Sequence, residues 1–292
     1  MLIKSLLDSL ARSLSEAGIA DADLEARFML QHILNCSRTR LFLKMSDPFP
    51  DSLSDRLQEM LARRLQREPL AYVLGEWDFR GLTLTVGPEV LIPRPETEQL
   101  VDRVAVLVRE NVLSAFRQAL DVGCGSGAIA VSLLKEKLAE QVIALDVSVP
   151  ALQVCRQNAR RHEVTDRLGL VAADLEWMPF DGQFDLVVAN LPYIDTKEID
   201  ALMPEVSRFE PRSALDGGGR GEELFCKLAA VLEQILRPGG YVVLEIGADQ
   251  KNFIIELFQG RQYDSLAVLP DYSGLPRIFS ARRLPTAVTQ II

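Results

Sequence analysis

A tetrad of residues, Asn190-Leu191-Pro192-Tyr193, directly follows the apolar run Phe184–Ala189. The side chain of Asn190 and the backbone carbonyl of Leu191 each offer an oxygen that can accept one N–H of a planar –NH2 group. An amide or aromatic amine nitrogen is a poor nucleophile because its lone pair is delocalised. Two such acceptors would orient that nitrogen and stabilise the positive charge that develops on it, while Pro192 stiffens the turn and Tyr193 offers a ring face. The tetrad therefore predicts group transfer to a planar amino nitrogen.

A glycine-rich turn follows another apolar run, residues 118–122. The turn consists of Gly123, Cys124, Gly125, Ser126 and Gly127. Its glycines allow a tight bend and bring backbone N–H groups close to a ligand at the N-terminus of the next helix. With Ala128 the turn also has the G-x-G-x-x-A spacing of dinucleotide sites. It therefore predicts a nucleotide-like cofactor without identifying it.

Acidic residues narrow the choice of cofactor. Asp146 ends the predicted strand 142–146, twenty-one residues after Gly125, where a carboxylate can accept hydrogen bonds from both ribose hydroxyls. Asp174 follows the third predicted strand and is placed to receive an adenine amino group, and Asp121 lies at the end of the first. S-adenosylmethionine carries a sulfonium and an ammonium group, so an acidic crevice suits it better than it suits two anionic phosphates. We therefore expect S-adenosylmethionine as the cofactor.

The hydrophobic periodicity indicates how these motifs are positioned. Residues 1–70 have helical spacing, and residues 76–92 alternate as a β-hairpin would. Apolar runs then alternate with helical patterns, which predicts an α/β fold with a Rossmann-like, doubly wound parallel sheet. The predicted strands are 118–122, 142–146, Leu168–Ala172, Phe184–Ala189 and 241–246, with a final hairpin from 265–269 and 277–281.

Composition excludes several classes of function. The net charge is −9, all of it within residues 76–292, so the chain has no general attraction to nucleic acid phosphates. Its four cysteines form no CxxC pair and it has two histidines, so we expect reduced thiols, no metal site and no disulfide framework. No apolar run reaches the length of a membrane span and the N-terminus has no signal peptide pattern. These features favour a cytoplasmic protein, and we expect a monomer.

Further runs carry a resemblance to a known family. The second half resembles class I S-adenosylmethionine-dependent methyltransferases that methylate amino groups and have an N/D/S-P-P-Y/F/W tetrad. Residues 91–98, LIPRPETE, closely resemble the HemK/PrmC-type glutamine N5-methyltransferases of peptide-chain release factors. Residues 71–75, Phe79, Glu210-Pro211, residues 214–218 and Gly274 before Arg277 are similar as well. The resemblance covers residues 68–283.

The resemblance implies a function and a site. The chain would methylate the side-chain N5 of the glutamine in the Gly-Gly-Gln motif of class I release factors and so modulate translation termination. The cofactor would bind at Gly123 to Gly127, with its ribose at Asp146, its adenine near Asp174 and Leu175, and Asn190 as a further contact. Asn190 to Tyr193 would form the catalytic tetrad and hold the glutamine, and Phe79 would form a wall of its pocket. The implied domains are a helical substrate-recognition domain (residues 1–74), a β-hairpin linker (75–92) and a methyltransferase domain (93–292).

Leu191 departs from the family's usual Asn-Pro-Pro-Tyr, and Asn-Leu-Pro-Tyr also resembles the tetrad of ribosomal RNA adenine dimethyltransferases. The alternative function is therefore adenine N6-methylation of RNA or DNA, which the acidic composition disfavours. A NAD-linked oxidoreductase would leave the tetrad unexplained. A binding module without catalysis would not need an intact tetrad.

Overall fold

A computed structural model describes residues 1–111, 115–182 and 184–285, which form two compact units. The first comprises Met1–Glu76 and Met203–Phe209, and the second comprises Trp77–Leu202 and the chain from residue 210 onward. The sequence-based division at residues 74 and 92 stays a prediction. It did not anticipate that residues 203–209 join the first unit.

The secondary structure elements are numbered along the chain. The helices are α1 (Ile3–Glu16), α2 (Ala22–Ile33), α3 (Arg38–Leu43), α4 (Ser54–Leu65), α5 (Leu70–Leu74), α6 (Pro95–Glu110), α7 (Ala128–Lys135), α8 (Val149–Arg161), α9 (Pro204–Phe209), α10 (Glu223–Ile235) and α11 (Lys251–Phe258). The strands are β1 (Glu76–Phe79), β2 (Leu82–Thr85), β3 (Phe116–Val122), β4 (Ala139–Asp146), β5 (Leu168–Ala172), β6 (Phe184–Ala189), β7 (Leu236–Glu245), β8 (Tyr263–Pro270) and β9 (Pro276–Arg283).

The first unit is helical, as the periodicity predicts. Leu7, Leu10 and Leu14 recur on one face of α1 and are all buried, so this face packs into the core of the unit. Arg64 of α4 is 4% exposed and pairs with Glu25 at 2.6 Å and with Glu205 of α9 at 3.0 Å. Because a buried guanidinium needs such partners, this network holds residues 203–209 in the first unit.

In the second unit, seven strands of the described chain form a sheet with the order β5-β4-β3-β6-β7-β9-β8. Neighbours from β5 to β7 are parallel, whereas β9 is antiparallel to β7 and β8. The chain runs outward from β3 to one side and from β6 to the other, so the switch point of this doubly wound sheet lies between β3 and β6. Ligands bind at that point in open α/β sheets, outside the carboxyl ends of the strands. The predicted fold class is confirmed.

Both faces of the sheet are buried, which explains the continuous apolar runs of its strands. Ala119 of β3 and Val142 of β4 belong to one apolar core, whereas Leu120 and Leu145 belong to a second one on the opposite face. The order of neighbouring strands is therefore held by packing on two sides, and the carboxyl ends of β3, β4 and β6 are fixed relative to one another.

Strand boundaries differ most from the prediction at β7, which begins at Leu236 and not at residue 241. Leu236 pairs with Phe184, and the pairing resumes only at Tyr241 with Leu186. The four intervening residues form an irregularity that includes Pro238-Gly239-Gly240. Because such residues read as a turn, the sequence pattern concealed the first part of the strand.

Candidate active site

A cavity of about 310 Å³ lies at the carboxyl ends of β3, β4, β5 and β6. The glycine-rich turn and the tetrad meet there because Val122, which precedes Gly123, pairs in register with Ala189, which precedes Asn190. Of the residues predicted from the sequence, the cavity is lined by Gly123, Cys124, Gly125, Ser126, Asp146, Asp174, Leu175, Asn190, Leu191 and Pro192. The fold thus brings together motifs that are 67 residues apart.

The glycine-rich turn is held by the end of β4. The backbone N–H groups of Gly123 and Cys124 both donate to the carbonyl of Leu145, at 2.8 and 3.0 Å. Gly127 differs from the other turn residues because it is absent from the cavity lining. A Cβ at this position, where φ is +78°, would lie 2.5 Å from Sγ of Cys155 on α8. The physical need for glycine at 127 is therefore the close packing of α8.

Asp146 lies at the cavity, as predicted for a cofactor-binding residue, and its side chain also holds the glycine-rich turn in place. Its Oδ2 accepts from the Gly125 N–H at 2.9 Å and its Oδ1 accepts from the Ser148 N–H at 2.8 Å. Burial raises the pKa of this carboxyl, while the backbone donors act in the opposite direction. Since each carboxylate oxygen has two acceptor positions, Asp146 can hold the turn and still accept from a ligand.

Asp174 and Leu175 line the cavity beyond β5. Oδ1 of Asp174 accepts from the Glu176 N–H at 3.0 Å and caps the single helical turn that begins at Leu175. Leu175 is buried whereas Asp174 is exposed. This end of the cavity therefore offers one apolar surface and one carboxylate, as a base with an amino group requires.

Asp121 is fully buried beneath the turn, and its two carboxylate oxygens differ in their hydrogen bonding. Oδ2 accepts from the Ala130 N–H at 3.0 Å, whereas Oδ1 has no hydrogen-bond partner in the described chain. Burial raises the pKa of Asp121 to about 7, with a further contribution from the negative charge of Asp146. A cation in the adjacent cavity would favour the ionised form.

This elevated pKa predicts a loss of stability with rising pH. The unfolded chain ionises Asp121 near its ordinary pKa, whereas the folded protein does so only near 7, so stability falls as the pH rises through this interval. Between pH 5.5 and 8 the ligand-free protein should lose about 2 kcal/mol of unfolding free energy relative to Asp121→Asn. Urea unfolding of both proteins at several pH values measures the difference. Parallel pH profiles would show that Asp121 does not titrate in this range.

Leu191 of the tetrad is 4% exposed and packs beside the glycine-rich turn. A Cβ built on Gly123 would lie 3.4 Å from its Cδ2 atom. This is an ordinary van der Waals distance, so the need for glycine at 123 comes from its φ of +71° and not from Leu191. Leucine and proline both have a backbone carbonyl oxygen, so position 191 keeps an acceptor with either residue.

The tetrad is fixed by hydrogen-bond partners from other parts of the chain. The Asn190 side chain donates through Nδ2 to Thr97 Oγ1 at 3.1 Å, and the Tyr193 hydroxyl donates to Glu245 Oε1 at 3.2 Å. Gln250 donates through Nε2 to the backbone carbonyl of Tyr193 at 3.2 Å. Only Thr97 carried a sequence signal, since it lies in the LIPRPETE run.

Besides Gly127, two residues predicted for the substrate pocket lie outside the cavity lining. Phe79 is 1% exposed and packs in the core with Leu84 and Leu100, so it does not line this cavity, and its role as a wall of the substrate pocket stays a prediction. The aromatic ring serves to anchor the β1–β2 hairpin. Tyr193 does not line the cavity either, because its hydroxyl points to Glu245.

The motifs that flank the tetrad support the same wall. Arg94 of the LIPRPETE run pairs with Glu210 at 2.6 Å, and Glu210 is 6% exposed. Burial raises the pKa of Glu210, and the Arg94 guanidinium partly offsets this effect. The next residue, Pro211, lines the cavity. The ion pair therefore positions one edge of the site.

The part of the chain that the structure describes contains no metal site, no disulfide bond and no membrane-spanning helix. Its His, Cys, Asp and Glu side chains form no group of three that could hold a metal ion. All four cysteines are free thiols. None of the described helices has both the length and the apolar character that crossing a bilayer requires.

Known proteins resemble both units. Residues 5–75 match a sequence family described as the PrmC N-terminal domain, and residues 119–209 match a methyltransferase domain. A release factor glutamine methyltransferase of Geobacter sulfurreducens is 36% identical, covering 96% of each chain. Another from Cereibacter sphaeroides is 38% identical over 94% of this chain and 95% of its own. A human release factor glutamine methyltransferase is 34% identical over 91% of this chain and 83% of its own.

Among solved structures, a methyltransferase from Pyrococcus furiosus aligns with a TM-score of 0.51 at 18% identity. It covers 81% of this chain and all of its own. This likeness concerns the fold.

Proposed function

The chain belongs to the release factor glutamine methyltransferase family, and from this premise we propose that it methylates the side-chain N5 of the glutamine in the Gly-Gly-Gln motif of class I release factors. It is an S-adenosylmethionine-dependent enzyme. Methylation of that glutamine would modulate translation termination. The alternative, adenine N6-methylation of nucleic acid, is not favoured by the family of its relatives.

One observation carries the assignment of the site. Asn190 and the glycine-rich turn leave adjacent strands at paired positions and face one cavity. Because Nδ2 of Asn190 is engaged by Thr97, the side chain has its Oδ1 to offer to a substrate. An acceptor for a planar –NH2 group therefore lies beside the turn that would hold the cofactor.

The residues of the cavity fit S-adenosylmethionine. The volume lies within the range of small-molecule sites, and the unpartnered Oδ1 of Asp121 lies beneath the turn, so a bound cation would compensate the buried carboxyl. Asp146 would hold the ribose, with Asp174 and Leu175 beside the adenine. When bound, this cofactor supplies an electrophilic methyl group on a sulfonium.

The protein's own groups would position and polarise the glutamine. Asn190 Oδ1 and the Leu191 carbonyl would each accept one N–H, which places the nitrogen in line for attack and stabilises its developing positive charge. The methylated nitrogen becomes strongly acidic, so its extra proton can pass to water without a dedicated base. We propose that Tyr193 contributes by fixing the tetrad through Glu245, since its hydroxyl is committed there.

We further propose that the helical unit docks the release factor. Phe42 and Leu43 of α3 are 73% and 75% exposed, which gives this unit an apolar surface that a partner could cover. The cytoplasmic location, the monomeric state and the lack of direct nucleic acid binding, all expected from the sequence, likewise remain proposals.

The proposed function is tested by comparing three candidate methyl acceptors in separate reactions. The protein is incubated with methyl-labelled S-adenosylmethionine and, in parallel, with a whole class I release factor, a short Gly-Gly-Gln peptide or ribosomal RNA. We expect label on the glutamine, located by peptide mass mapping, and a higher kcat/KM for the whole factor than for the peptide. Label on an RNA adenine would establish the alternative function, and equal kcat/KM values would argue against docking by the helical unit.

The ribose role of Asp146 predicts a specific loss of cofactor affinity. Asp146→Ala should raise the Kd for S-adenosylhomocysteine by about 10–100-fold, equivalent to ~1–3 kcal/mol for hydrogen bonds to a charged group. Asp146→Asn keeps an acceptor and should lose less. Isothermal titration calorimetry gives the values, with Asp166→Ala as a control because Asp166 is an exposed acid of the same unit. An unchanged Kd in Asp146→Ala would contradict the ribose role.

A further inference from the structure

The side-chain amide of Asn190 is held by a chain of hydrogen bonds that begins at Thr97 in the cavity wall and continues to the buried Glu245. Its Nδ2 donates to Oγ1 of Thr97, and the Thr97 hydroxyl donates to Oε2 of Glu245 at 2.6 Å. Thr97 lies in the first turn of α6 and is 4% exposed, and Glu245 ends β7 and is 1% exposed. Three separate elements thus converge on one rotatable amide group.

The other oxygen of Glu245 is reached from the opposite side. Oε1 accepts from the Tyr193 hydroxyl, and the Tyr193 oxygen accepts from Nη1 of Arg277 at 3.3 Å. The same Arg277 atom donates to the carbonyl of Ile246 at 3.0 Å, which keeps the guanidinium in place. Glu245 therefore lies between two hydroxyl groups, with a cation beyond one of them.

The number of protons available on these groups determines which group donates and which accepts in each hydrogen bond. A guanidinium only donates, so the single proton of the Tyr193 hydroxyl goes to Glu245. Burial raises the pKa of Glu245, whereas the Thr97 and Tyr193 hydroxyls and the charge of Arg277 act in the opposite direction. When Glu245 is ionised, it also accepts the single proton of Thr97, and Thr97 has only lone pairs left for Asn190. Asn190 must then turn its NH2 group toward Thr97 and its Oδ1 away from it.

We propose that Thr97 and Glu245 are positioning residues that set the rotation of the Asn190 amide, so that Oδ1 faces the N–H of the substrate glutamine. The inference rests on the proposed function, since that glutamine is the group to be received. An Asn190 amide turned by 180° would present its NH2 group to the NH2 group of the substrate. Two donors cannot bond to each other, so the correct rotation is required for transfer.

The chemistry of these positions argues against a merely structural role. Thr97 lines the cavity although it is 4% exposed, and Glu245 is buried next to it. A buried hydroxyl and a buried carboxylate are costly to desolvate, and apolar side chains of the same shape would pack there at lower cost. Local violations of good packing chemistry are typical of functional sites. The value of the polar pair is the direction that it imposes on Asn190.

Kinetics of the full-length protein test the proposal, with release factor as the methyl acceptor. Thr97→Val keeps the shape of the side chain and removes the hydroxyl, whereas Thr97→Ser keeps the hydroxyl. We expect kcat to fall on the order of 10–100-fold in Thr97→Val with little change in KM, and to be largely retained in Thr97→Ser. In an Asn190→Ala background, Thr97→Val should cause no further loss, because Thr97 acts through Asn190.

A spectroscopic measurement makes the test independent of activity. The chain has five asparagines, so protein labelled with nitrogen-15 at asparagine gives five side-chain NH2 signals, and Asn190→Asp identifies the one from Asn190. We expect slow proton exchange of this NH2 group in the wild type and in Thr97→Ser, and faster exchange in Thr97→Val. Thermal unfolding monitors the fold, and Thr97→Ala replaces the valine variant if that one does not fold.

The possible results distinguish a failure of the proposed function from a failure of the positioning role of Thr97. A wild-type protein that does not methylate the glutamine overturns the proposed function itself. A methylating wild type with unchanged kcat and unchanged NH2 exchange in Thr97→Val overturns the positioning role alone. Additive losses in the double variant would also contradict it, because Thr97 would then act independently of Asn190.

Discussion

Replacing Asn190 with alanine is expected to lower kcat for glutamine methylation by about 10²–10³-fold, the loss typical of removing one preorganised polar group from a transition-state site. In the proposed site, the Oδ1 atom is the side-chain acceptor for the substrate –NH2 group. Without it the Leu191 carbonyl alone cannot define the plane of the amide. The Kd for the cofactor should change little, because the turn and Asp146 lie on other strands.

The measurement combines steady-state kinetics on release factor with calorimetric titration of S-adenosylhomocysteine. Asn252→Ala is the matched control, because Asn252 is an exposed residue of α11 in the same unit and should leave both quantities unchanged. Near-normal turnover of Asn190→Ala would remove the tetrad from the reaction. A large rise in Kd would instead make Asn190 chiefly a cofactor ligand.

The second large effect is expected at Gly221, which touches the backbone of the tetrad. A Cβ built on Gly221 would lie 1.9 Å from the carbonyl oxygen of Tyr193, and φ at Gly221 is +69°. Gly217 is similarly close, since its Cβ would lie 2.6 Å from the Pro192 carbonyl oxygen. A side chain at 221 must therefore displace the tetrad turn, and displacements of 1 Å in an active site cost about 100-fold in rate.

Gly221→Ala should accordingly reduce kcat by about 10–100-fold and lower the unfolding free energy by roughly 1–3 kcal/mol through backbone strain. Gly219→Ala is the control from the same loop, because its Cβ would meet Glu223 Oε1 only at 3.8 Å and its φ is not in the left-handed region. Kinetics and urea unfolding of the two variants measure the difference. If both alanines were equally well tolerated, the loop would not support the tetrad.

The predictions for Asn190 and Gly221 both depend on the precise orientation of the tetrad. The groups that would contact the substrate come from one strand end, but their orientation depends on α6, on β7 and on the loop around Gly221. Variants of these supporting residues should therefore lower kcat more than they change substrate KM. Variants of Asp146 should act chiefly on cofactor affinity.

Much of this molecule could be predicted from its sequence, because the relevant signals are local. The apolar runs that became β5 and β6 have the predicted bounds, and the periodicity of residues 1–70 indicates the helices of the first unit. Asp146 ends one predicted strand and Asn190 directly follows another. Because parallel strands end at one edge of a sheet, their meeting at one cavity follows from topology. The LIPRPETE run indicated the family.

Only the tertiary structure decided how those residues are held and which neighbours belong to the site. Phe79 is an aromatic residue near a motif in the sequence, yet it lies in the core. Thr97 reaches Asn190 across 93 residues and Glu245 across 148. Such contacts depend on the register between β6 and β7 and on how α6 packs against them, and no periodicity along the chain encodes that register. Hydrogen-bond direction, too, is a property of the assembled network, because each donor is assigned only when all its partners are in place.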